Sequence, residues 1–410
     1  MKRMEELWHP RWWQHGPALE RVVRDLVAAE VSAARPGRRV PPAASWPADL
    51  DLAADLGADS LELMGAATAL ADLLGFARAG MDDALLARTR LSDWVASACA
   101  SLAVDDSVLT FRTSGSSGAP KRCAHRLAGL WREVDELARL APGRHRMLAA
   151  VPAHHIYGFL FTVLLPQASG AALPVLDVRG ASPAALAGMV RAGDLVVGHP
   201  DFWGQAAALA PAFPPDVVGV SSGAPCPDAT AHVLQYSGLR LLQVYGSSET
   251  AGVGWRERAG EQYRLFSYWR RGALDNTIER RFGGEIEGHA LQDRIEWTDA
   301  EHFVPGGRID LAVQVGATNV FPAYVADVLA MHPAVAQCAV RLMRPDEGAR
   351  LKAFIVVAGD AAPASLREEL AAWLAERLEP PERPVAFSFG PDLPRGPGGK
   401  LADWIIEAWA

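Results

Sequence analysis

A stretch of nine residues, 113–121, constrains this chain most, because it is rich in glycine and hydroxyl groups yet follows an apolar run. The stretch reads Thr-Ser-Gly-Ser-Ser-Gly-Ala-Pro-Lys, and the apolar run over 108–111 is typical of a strand. Glycine permits backbone angles that other residues avoid, and successive backbone N–H groups in such a turn can form a concave anion site. The hydroxyls and Lys121 add donors and a positive charge. We therefore expect a loop that grips phosphate; the alternative is a flexible Ser/Gly linker.

Composition indicates a folded protein of two or three domains, because the chain has 410 residues of which half are hydrophobic. A net charge of −8 argues against binding to nucleic acid through phosphate contacts. The four cysteines are far apart, which is typical of reduced thiols in the cytoplasm. No signal-peptide pattern and no apolar run of membrane-spanning length is present. We expect a cytoplasmic protein with neither a nucleic-acid partner nor a membrane span.

Lysine is rare in this chain and therefore informative. Among 40 basic residues only four are lysine: Lys2, Lys121, Lys352 and Lys400. Arginine supplies nearly all other positive charge, so a lysine retained inside a glycine-rich loop is expected to have a specific role. Lys121 and Lys400 both lie in such loops.

The first hundred residues predict helices. Residues 1–17 are rich in tryptophan and are interpreted as an arm that packs on a neighbouring surface. Helical spacing of apolar residues predicts helices over 17–33, from about 59 to 73, and over 91–102. A long loop and the sequence Leu-Gly-Ala-Asp-Ser-Leu separate the first two.

This order of elements over 18–102 resembles acyl carrier proteins. In that family the serine of the Asp-Ser-Leu motif carries 4′-phosphopantetheine, which here implies Ser60 as the modified residue. Two alternatives remain: a carrier-like fold without the prosthetic group, and an ordinary helical domain in which Asp59 or Ser60 caps a helix.

From residue 105 short apolar strands alternate with helices, a pattern that indicates an α/β domain. Strands are expected over 147–152, 194–198, 217–220 and 241–244, and a helix over 127–140. Gly306-Gly307 is a candidate hinge or boundary before a small α+β domain over 311–410. The predicted fold is thus an α/β large domain over 105–306 with a small C-terminal domain, preceded by an all-α carrier-like domain over 18–102.

Further motifs follow in a fixed order: Tyr-Gly-Ser-Ser-Glu-Thr over 245–250, Gly-Arg-Ile-Asp over 307–310, and Pro-Arg-Gly-Pro-Gly-Gly-Lys over 394–400. Together with 113–121 they resemble the adenylate-forming superfamily, which includes acyl- and aryl-CoA ligases, carrier-protein adenylation domains and luciferases. Asp293 lies 15 residues before Arg308, as the ribose-binding aspartate and its arginine do in that family. The resemblance covers about 107–410.

The resemblance implies ATP and Mg²⁺ as cofactors and assigns roles residue by residue. The ATP phosphates are expected to contact Thr113, Ser114, Gly115, Ser116, Ser117, Gly118 and Lys121. The segments beside the adenine are expected to include Ser222, Gly223, Ala224, Tyr245, Gly246 and Ser247. Asp293 is expected to accept from the ribose hydroxyls, and Arg308 to contact ribose or phosphate.

The reacting groups follow from the same resemblance. Glu249 matches the Mg²⁺-binding glutamate, Thr250 the residue at the α-phosphate, and Lys400 the lysine that bridges carboxylate and phosphate. His155 matches a position near the acyl pocket, and Asp310 the pivot of the small domain. Positive charge from Lys400 and Mg²⁺ is needed there, because a carboxylate that attacks an α-phosphate brings two anions together.

The chain departs from the family in one respect: relatives usually carry well over a hundred residues before the phosphate loop. A compact large domain would expose apolar surface. The tryptophan-rich arm, the carrier-like segment or a second subunit in a homodimer could cover it.

The predicted substrate is a small aromatic carboxylic acid. The sequence over 152–158 is similar to hydroxybenzoate ligases that start aryl polyene pigments. His154, His155 or Tyr157 could face a phenolic ring, or could serve the core instead. Three functions stay open: an aryl-acid ligase that loads an acyl carrier protein, the same enzyme with CoA as acceptor, and an inactive truncated homologue that acts as a scaffold.

Overall fold

The structure is a computed structural model that describes residues 10–35, 38, 40–81, 83–113, 121–168, 172–209, 212–282, 284–309, 312–316, 318–359, 363–395 and 401–406. The chain divides into two compact units. Unit 1 contains Met1–Arg35, Arg39–Thr113 and Arg122–Gly306, and unit 2 contains Pro36–Arg38, Ser114–Lys121 and Gly307–Ala410. The main division therefore falls between the two glycines that the sequence offered as a hinge or boundary.

The described residues form ten α-helices and nineteen strands. The helices are α1 Gly16–Ala34, α2 Ser60–Leu74, α3 Leu91–Val104, α4 Leu127–Leu140, α5 Ile156–Phe159, α6 Pro183–Met189, α7 Pro200–Leu209, α8 Asp228–Tyr236, α9 Pro322–Ala330 and α10 Pro363–Ala375. The first ten strands are β1 Val108–Thr113, β2 Lys121–Arg126, β3 Arg146–Ala149, β4 Val175–Asp177, β5 Asp194–Gly198, β6 Val218–Ser221, β7 Arg240–Ser247, β8 Ala251–Arg256, β9 Tyr263–Leu265 and β10 Arg270–Arg271. The others are β11 Thr277–Phe282, β12 Glu285–Ala290, β13 Asp293–Trp297, β14 His302–Arg308, β15 Val313–Val315, β16 Thr318–Val320, β17 Val335–Leu342, β18 Leu351–Val357 and β19 Ala386–Phe389.

A nine-stranded sheet is the centre of unit 1, in the order β13-β14-β9-β8-β7-β6-β5-β3-β4. Strands β4, β3, β5, β6 and β7 run parallel to one another, whereas β8, β9 and β14 pair antiparallel. Strands β5 and β6 are buried along their whole length, as expected for parallel strands covered on both faces. The α/β large domain that the sequence predicts is confirmed.

The N-terminal residues belong to this same unit. One continuous apolar core contains Trp12 of the N-terminal arm, Leu70 of α2, Trp94 of α3 and Phe111 of β1. The Trp12 ring meets the Phe159 ring edge-on, with centroids 4.9 Å apart. A separate carrier-like domain over 18–102 is therefore not confirmed, because its apolar face is buried against the large domain. These residues are among the candidates that the sequence offered to cover that domain.

Helix α2 is also attached to the hairpin that flanks the glycine-rich loop. Strands β1 and β2 form a two-stranded sheet. The Asp72 carboxylate of α2 pairs with Arg112 of β1, and with Arg122 of β2 at 2.7 Å. The residues between these strands, 114–120, lie outside the described residues. A helix that the sequence assigned to a carrier domain thus supports the strands on either side of the predicted phosphate loop.

The Asp59-Ser60 motif forms a helix cap. The Asp59 carboxylate accepts hydrogen bonds from the N–H groups of Leu61 and Glu62, both at 2.9 Å, and the Glu62 carboxylate accepts from Asp59 N–H at 3.0 Å. This is a reciprocal capping box. Ser60 is exposed at the first position of the helix. The capping interpretation accounts for the motif without a prosthetic group.

Unit 2 is a small α+β domain, as the sequence predicts. Strands β17 and β18 pair antiparallel, β18 and β19 pair parallel, and α9 packs on the sheet. Its own apolar core includes Val325 and Leu329 of α9 and Leu366 and Leu370 of α10. Strands β15 and β16 form a separate hairpin.

The C-terminal residues 401–406 are attached to this domain by a buried lysine. Lys352 is fully buried on β18, and its ammonium group contacts the Glu347 carboxylate at 2.7 Å. It also donates to the Trp404 carbonyl at 2.6 Å and lies 3.0 Å from the Asp403 carboxylate. A buried charge requires such partners.

This cluster predicts an acid-sensitive C-terminal segment. The hydrogen bond from Lys352 is the main reason that the pKa of Glu347 falls from its ordinary value of 4.5 to about 2. A pKa that folding lowers contributes stability above the ordinary value, and that contribution is lost as the pH falls towards the folded value. We expect hydrogen-exchange protection of residues 401–406 to decrease between about pH 4.5 and pH 2, measured by mass spectrometry. Protection that is constant over this range would contradict the assignment.

No helix among the described residues is long and apolar enough to cross a membrane.

Candidate active site

Four polar segments meet at one edge of the nine-stranded sheet. They follow the carboxyl ends of neighbouring parallel strands: residues 150–158 after β3, His199 after β5, residues 222–225 after β6, and the end of β7 with residues 248–250. Parallel α/β sheets bind ligands at this edge. The structure thus brings together the predicted adenine, Mg²⁺ and acyl segments, which lie far apart in the sequence.

The segment after β7 is a tight turn closed by hydroxyl groups. The Ser247 hydroxyl oxygen accepts from the N–H groups of Glu249 at 3.2 Å and Thr250 at 3.3 Å, and lies 3.0 Å from the Thr250 hydroxyl. Ala251 has φ of +59°, a left-handed conformation that is unfavourable for a residue with a side chain. Thr250 is buried and Glu249 is half-buried. The turn therefore fixes both residues predicted to act at the phosphates.

Tyr245 and Asp293 form a direct contact although 48 residues separate them. The Tyr245 hydroxyl donates to the Asp293 carboxylate at 2.7 Å. The Tyr245 ring contacts the rings of Tyr263 and Phe303, with centroid distances of 5.8 and 5.5 Å, and those two rings stack on each other. A carboxylate can accept several hydrogen bonds. Asp293 can therefore bind Tyr245 and still accept from the two hydroxyls of a ribose.

The residues near the predicted acyl pocket divide into two groups. The Tyr157 hydroxyl donates to the backbone carbonyls of Gly198 at 2.8 Å and Val220 at 3.0 Å, so it joins the ends of β5 and β6. Burial raises the pKa of Tyr157 well above its ordinary value. The His155 side chain keeps solvent-exposed surface at the sheet edge, but the protein packed around its ring lowers its pKa by desolvation, and burial lowers the pKa of the adjacent His154 well below its ordinary value. Tyr157 thus has a structural role, and the role of His155 near the acyl pocket stays a prediction.

A residue of α1 that the sequence analysis missed holds this loop. The Asp25 carboxylate is buried, accepts from Ala153 N–H at 2.7 Å, and pairs with Arg179 at 2.6 Å. Burial raises the pKa of Asp25. An aspartate inside an amphipathic helix is normally assigned to solvent, and only its position on the apolar face of α1 could have identified it.

Several predicted site residues cannot be placed. Ser114, Gly115, Ser116, Ser117, Gly118, Asp310 and Lys400 lie outside the described residues. Thr113 ends β1 and Lys121 begins β2, on either side of the predicted phosphate loop. Arg308 is half-buried at the end of β14. Their roles remain predictions.

The acidic residues fit magnesium better than a metal held by protein alone. Across the described ranges no group of three or more histidine, cysteine or acidic side chains could hold a metal ion. Mg²⁺ is usually held by one or two carboxylates together with substrate phosphates. The half-buried carboxylate of Glu249, beside Thr250 at the ligand edge, suits that arrangement.

Comparison with known protein families agrees with this geometry. A family model described as AMP-binding enzyme matches residues 57–267, and one described as AMP-binding enzyme C-terminal domain matches residues 324–400. A 4-coumarate–CoA ligase of Rhodobacter capsulatus is 39% identical over 402 residues, which is 94% of this chain and all of that relative. The chain belongs to the AMP-binding enzyme family. It is an AMP-forming acid–thiol ligase.

Another relative of this AMP-binding enzyme is also named 4-coumarate–CoA ligase, and a solved structure shares its fold. A 4-coumarate–CoA ligase of Halorhodospira halophila is 38% identical over 93% of this chain and 97% of the relative. The structure of an o-succinylbenzoate CoA synthetase from Bacillus subtilis has a TM-score of 0.59 at 18% identity, covering 72% of this chain and 67% of that chain. At that identity the likeness supports the fold alone.

These matches also bear on the N-terminal segment. The AMP-binding model begins at residue 57, inside the segment that resembles a carrier protein. The match to the Rhodobacter capsulatus ligase covers 94% of this chain and so includes most of 18–102. We conclude that this AMP-binding enzyme uses these helices as part of its own large domain.

The contact between Tyr245 and Asp293 predicts a specific effect on ATP. The change Tyr245→Phe removes the hydroxyl and keeps the ring, and a hydrogen bond to a charged group contributes about 1.5–3 kcal/mol. We expect the KM for ATP to rise about tenfold or more, with the KM for the acid unchanged. Steady-state kinetics with each substrate varied measures both. The matched control is Tyr263→Phe, since its ring packs on the same aromatic group. Equal effects of the two changes would contradict the role of the Tyr245 hydroxyl.

Proposed function

We propose that this protein is an ATP-dependent ligase that joins an aromatic hydroxy acid, of the 4-coumarate or hydroxybenzoate kind, to coenzyme A. The observation that carries the proposal is the near full-length similarity to three proteins named 4-coumarate–CoA ligase, at 38 and 39% identity. The sheet edge described above supports it, because Tyr245, Glu249 and Thr250, which the resemblance assigns to the nucleotide and Mg²⁺, lie there, with Asp293 in contact with Tyr245.

The first step is adenylation of the acid. The acid carboxylate attacks the α-phosphate of ATP, an acyl–phosphate bond forms, and pyrophosphate leaves. Glu249 would hold Mg²⁺, which neutralises phosphate charge when bound. Thr250 would contact the α-phosphate, Asp293 the ribose, and Lys400 would neutralise the two anions where they meet. Positioning and charge neutralisation are the main demands of such chemistry.

The second step transfers the acyl group to a thiol. The thiolate attacks the acyl carbon, a thioester forms, and AMP leaves. Swinging of the small domain about Asp310 would remove Lys400 and admit the thiol, so that one site performs both steps in turn. We assign CoA as the acceptor, because the relatives that match most of this chain are named as CoA ligases.

Transfer to a carrier protein is the competing acceptor. A fatty acid–[acyl-carrier-protein] ligase of Streptomyces coeruleorubidus is 34% identical, but over only 34% of this chain and 25% of the relative. Attachment of phosphopantetheine to Ser60 has no support beyond the motif, whose aspartate is occupied as a helix cap. The capping contacts and the shared core argue against Ser60 as the thiol carrier, and the names of the near full-length relatives favour CoA over a separate carrier protein.

The test supplies purified protein with ATP, Mg²⁺, an acid and either CoA or a phosphopantetheine-loaded carrier protein. The acids are 4-coumarate, cinnamate, 4-hydroxybenzoate and a fatty acid, and mass spectrometry identifies the thioester. We expect an aryl-CoA thioester with the hydroxylated aromatic acids. Thioester on the carrier protein alone, or with the fatty acid alone, would contradict the proposal.

Ser60 is tested in the same experiment. After co-expression with a phosphopantetheinyl transferase, the intact mass of the protein is expected to be unchanged, and Ser60→Ala is expected to form aryl-CoA at the wild-type rate. A mass increase that Ser60→Ala abolishes would restore the carrier interpretation.

A further inference from the structure

Two buried titratable residues that the proposed mechanism does not use lie against the turn that carries Glu249 and Thr250. We define the 247–252 turn as the end of β7, residues 248–250 and the start of β8. Glu133 of α4 and His125 of β2 are each 2% exposed. They contact the turn at its two ends.

Glu133 holds the far end of the turn. Its two carboxylate oxygens accept from the N–H of Gly252 at 3.0 and 3.1 Å. The carbonyl of the same glycine accepts from the Tyr268 hydroxyl at 3.0 Å and the Trp269 indole N–H at 2.8 Å. The contact is close, since a Cβ added to Gly252 would lie 2.3 Å from Glu133 Oε1. The peptide groups of Gly252 are therefore fixed on both sides.

His125 holds the near end. Its Nε2 lies 2.6 Å from the carbonyl oxygen of Ser248. Burial lowers the pKa of His125 to about 4, so the ring is neutral at pH 7. A carbonyl oxygen only accepts hydrogen bonds, so Nε2 carries the proton and donates it. His125 is on the strand that follows the predicted phosphate loop, so this bond links that strand to the 247–252 turn.

The turn requires such support because its backbone is unfavourable. Ala251 lies in the left-handed region, which costs about 1–2 kcal/mol for a residue with a side chain. The pairing of β7 with β8 is irregular between Tyr245 and Gly246. A Cβ at Gly246 would approach the Ala251 carbonyl oxygen to 2.3 Å. Strained backbone of this kind persists only where its surroundings impose it.

We infer that Glu133 and His125 are positioning residues that hold the 247–252 turn, and with it Glu249 and Thr250, in the geometry that adenylation requires. This inference rests on the proposed roles of Glu249 and Thr250. A buried carboxylate without a role in the fold would be costly, and burial raises the pKa of Glu133 to about 7. Its bidentate contact with a single backbone N–H offsets part of that cost.

The test compares Glu133→Leu with a matched change one turn later on α4. Glu136 also accepts a backbone hydrogen bond, but from Ser267 N–H at 2.9 Å, outside the turn. Partners that orient a metal-binding residue typically contribute ten- to a hundredfold. For Glu133→Leu we expect the maximal rate of acid-dependent ATP–pyrophosphate exchange to fall by that factor, with a higher Mg²⁺ requirement and an unchanged KM for the acid. Glu136→Leu is expected to match wild type, and Glu133→Gln, which keeps an acceptor for Gly252 N–H, to retain most activity.

Two outcomes would overturn the inference. One is a folded Glu133→Leu protein, judged by circular dichroism, whose exchange rate and Mg²⁺ requirement stay within about twofold of wild type. The other is that Glu133→Leu and Glu136→Leu change the exchange rate, the Mg²⁺ requirement and the KM for the acid to the same extent. If Glu133→Leu does not fold, His125→Phe removes only the donor to Ser248, and the same rate and Mg²⁺ criteria apply to it.

A binding measurement distinguishes failure of the proposed function from failure of the inference about Glu133. If the wild-type protein shows no pyrophosphate exchange with any of the acids tested, the proposed function fails. Calorimetric titration with ATP and Mg²⁺ then decides the inference. Weaker binding to Glu133→Leu than to Glu136→Leu supports it, and equal binding to both overturns it.

Discussion

Replacement of Lys400 by alanine is expected to lower the rate of adenylation by about a hundred- to a thousandfold, the range typical when one charged or donor group is removed from a developing anion. Lys400 is one of only four lysines and lies in a glycine-rich loop. Attack of a carboxylate on a phosphate brings two anions together, and the resemblance assigns Lys400 to their meeting point. Acid-dependent ATP–pyrophosphate exchange measures this step alone.

The second half-reaction is the internal control for Lys400. When the acyl-adenylate is supplied with CoA, thioester formation involves no attack on phosphate, so Lys400→Ala is expected to perform it at nearly the wild-type rate. Lys400→Arg retains the charge and is expected to lose less adenylation. Normal exchange by Lys400→Ala, or an equal loss of both half-reactions, would contradict the assigned role.

Replacement of Lys352 by methionine is expected to release the C-terminal segment that follows Lys400. Methionine fills similar volume but removes the buried cation that the Glu347 and Asp403 carboxylates and the Trp404 carbonyl share, and leaves the partly exposed Arg344 beside the two carboxylates. Removal of one member of a buried ion pair is strongly destabilising. The segment has further attachments, since Arg341 donates to the Leu401 carbonyl at 2.7 Å and Ala402 N–H donates to the Pro394 carbonyl at 2.9 Å. The first bond joins residue 401 to β17, and the second joins residues 394 and 402, on either side of 396–400, to each other.

Misplacement of a reacting group by about 1 Å can cost a hundredfold in rate. We therefore expect Lys352→Met to lower pyrophosphate exchange tenfold to a hundredfold, and to increase hydrogen exchange of residues 401–406. Arg350→Met is the matched control, because Arg350 precedes the same strand but donates to the carbonyls of Pro380 and Arg383. Full exchange activity together with loss of protection at 401–406 would show that the attachment does not position Lys400.

Local patterns in the sequence predicted the elements well where periodicity was strong. Helix α4 and strand β5 have the bounds that the sequence indicated. Strand β7 continues to Ser247, three residues beyond its predicted end. The register of β7 against β8 shifts between Tyr245 and Gly246. After the shift Gly246 pairs with Gly252 and Ser247 with Ala251, so the polar end of β7 stays in the sheet.

The N-terminal segment shows what a local pattern cannot determine. An aspartate before a helix is typical of a cap and also of a carrier-protein motif, so the motif alone does not show which surface the helix packs against. In this structure Leu70 and Trp94 share a core with Phe111 and with Leu130 of α4. That burial depends on contacts between residues distant in sequence, which periodicity does not encode.

The motifs name residues that the structure brings close together, but they do not identify the buried polar side chains around them. The motifs identified Tyr245 and Asp293 as neighbours of one nucleotide, and the structure places them 2.7 Å apart. They did not identify Asp25, His125 or Glu133, because each occupies a position that an amphipathic pattern assigns to water or leaves undecided. Their partners are backbone groups of distant loops, which have no sequence signature.

The account depends most directly on acid-dependent exchange of pyrophosphate into ATP. The wild-type protein, with ATP, Mg²⁺ and labelled pyrophosphate, is measured with and without 4-coumarate, 4-hydroxybenzoate and cinnamate. We predict exchange that requires both Mg²⁺ and an aromatic acid and is fastest with a hydroxylated acid. Absence of exchange with every acid, or exchange that does not depend on an acid, would contradict the assignment of an acyl-adenylate site to this sheet edge.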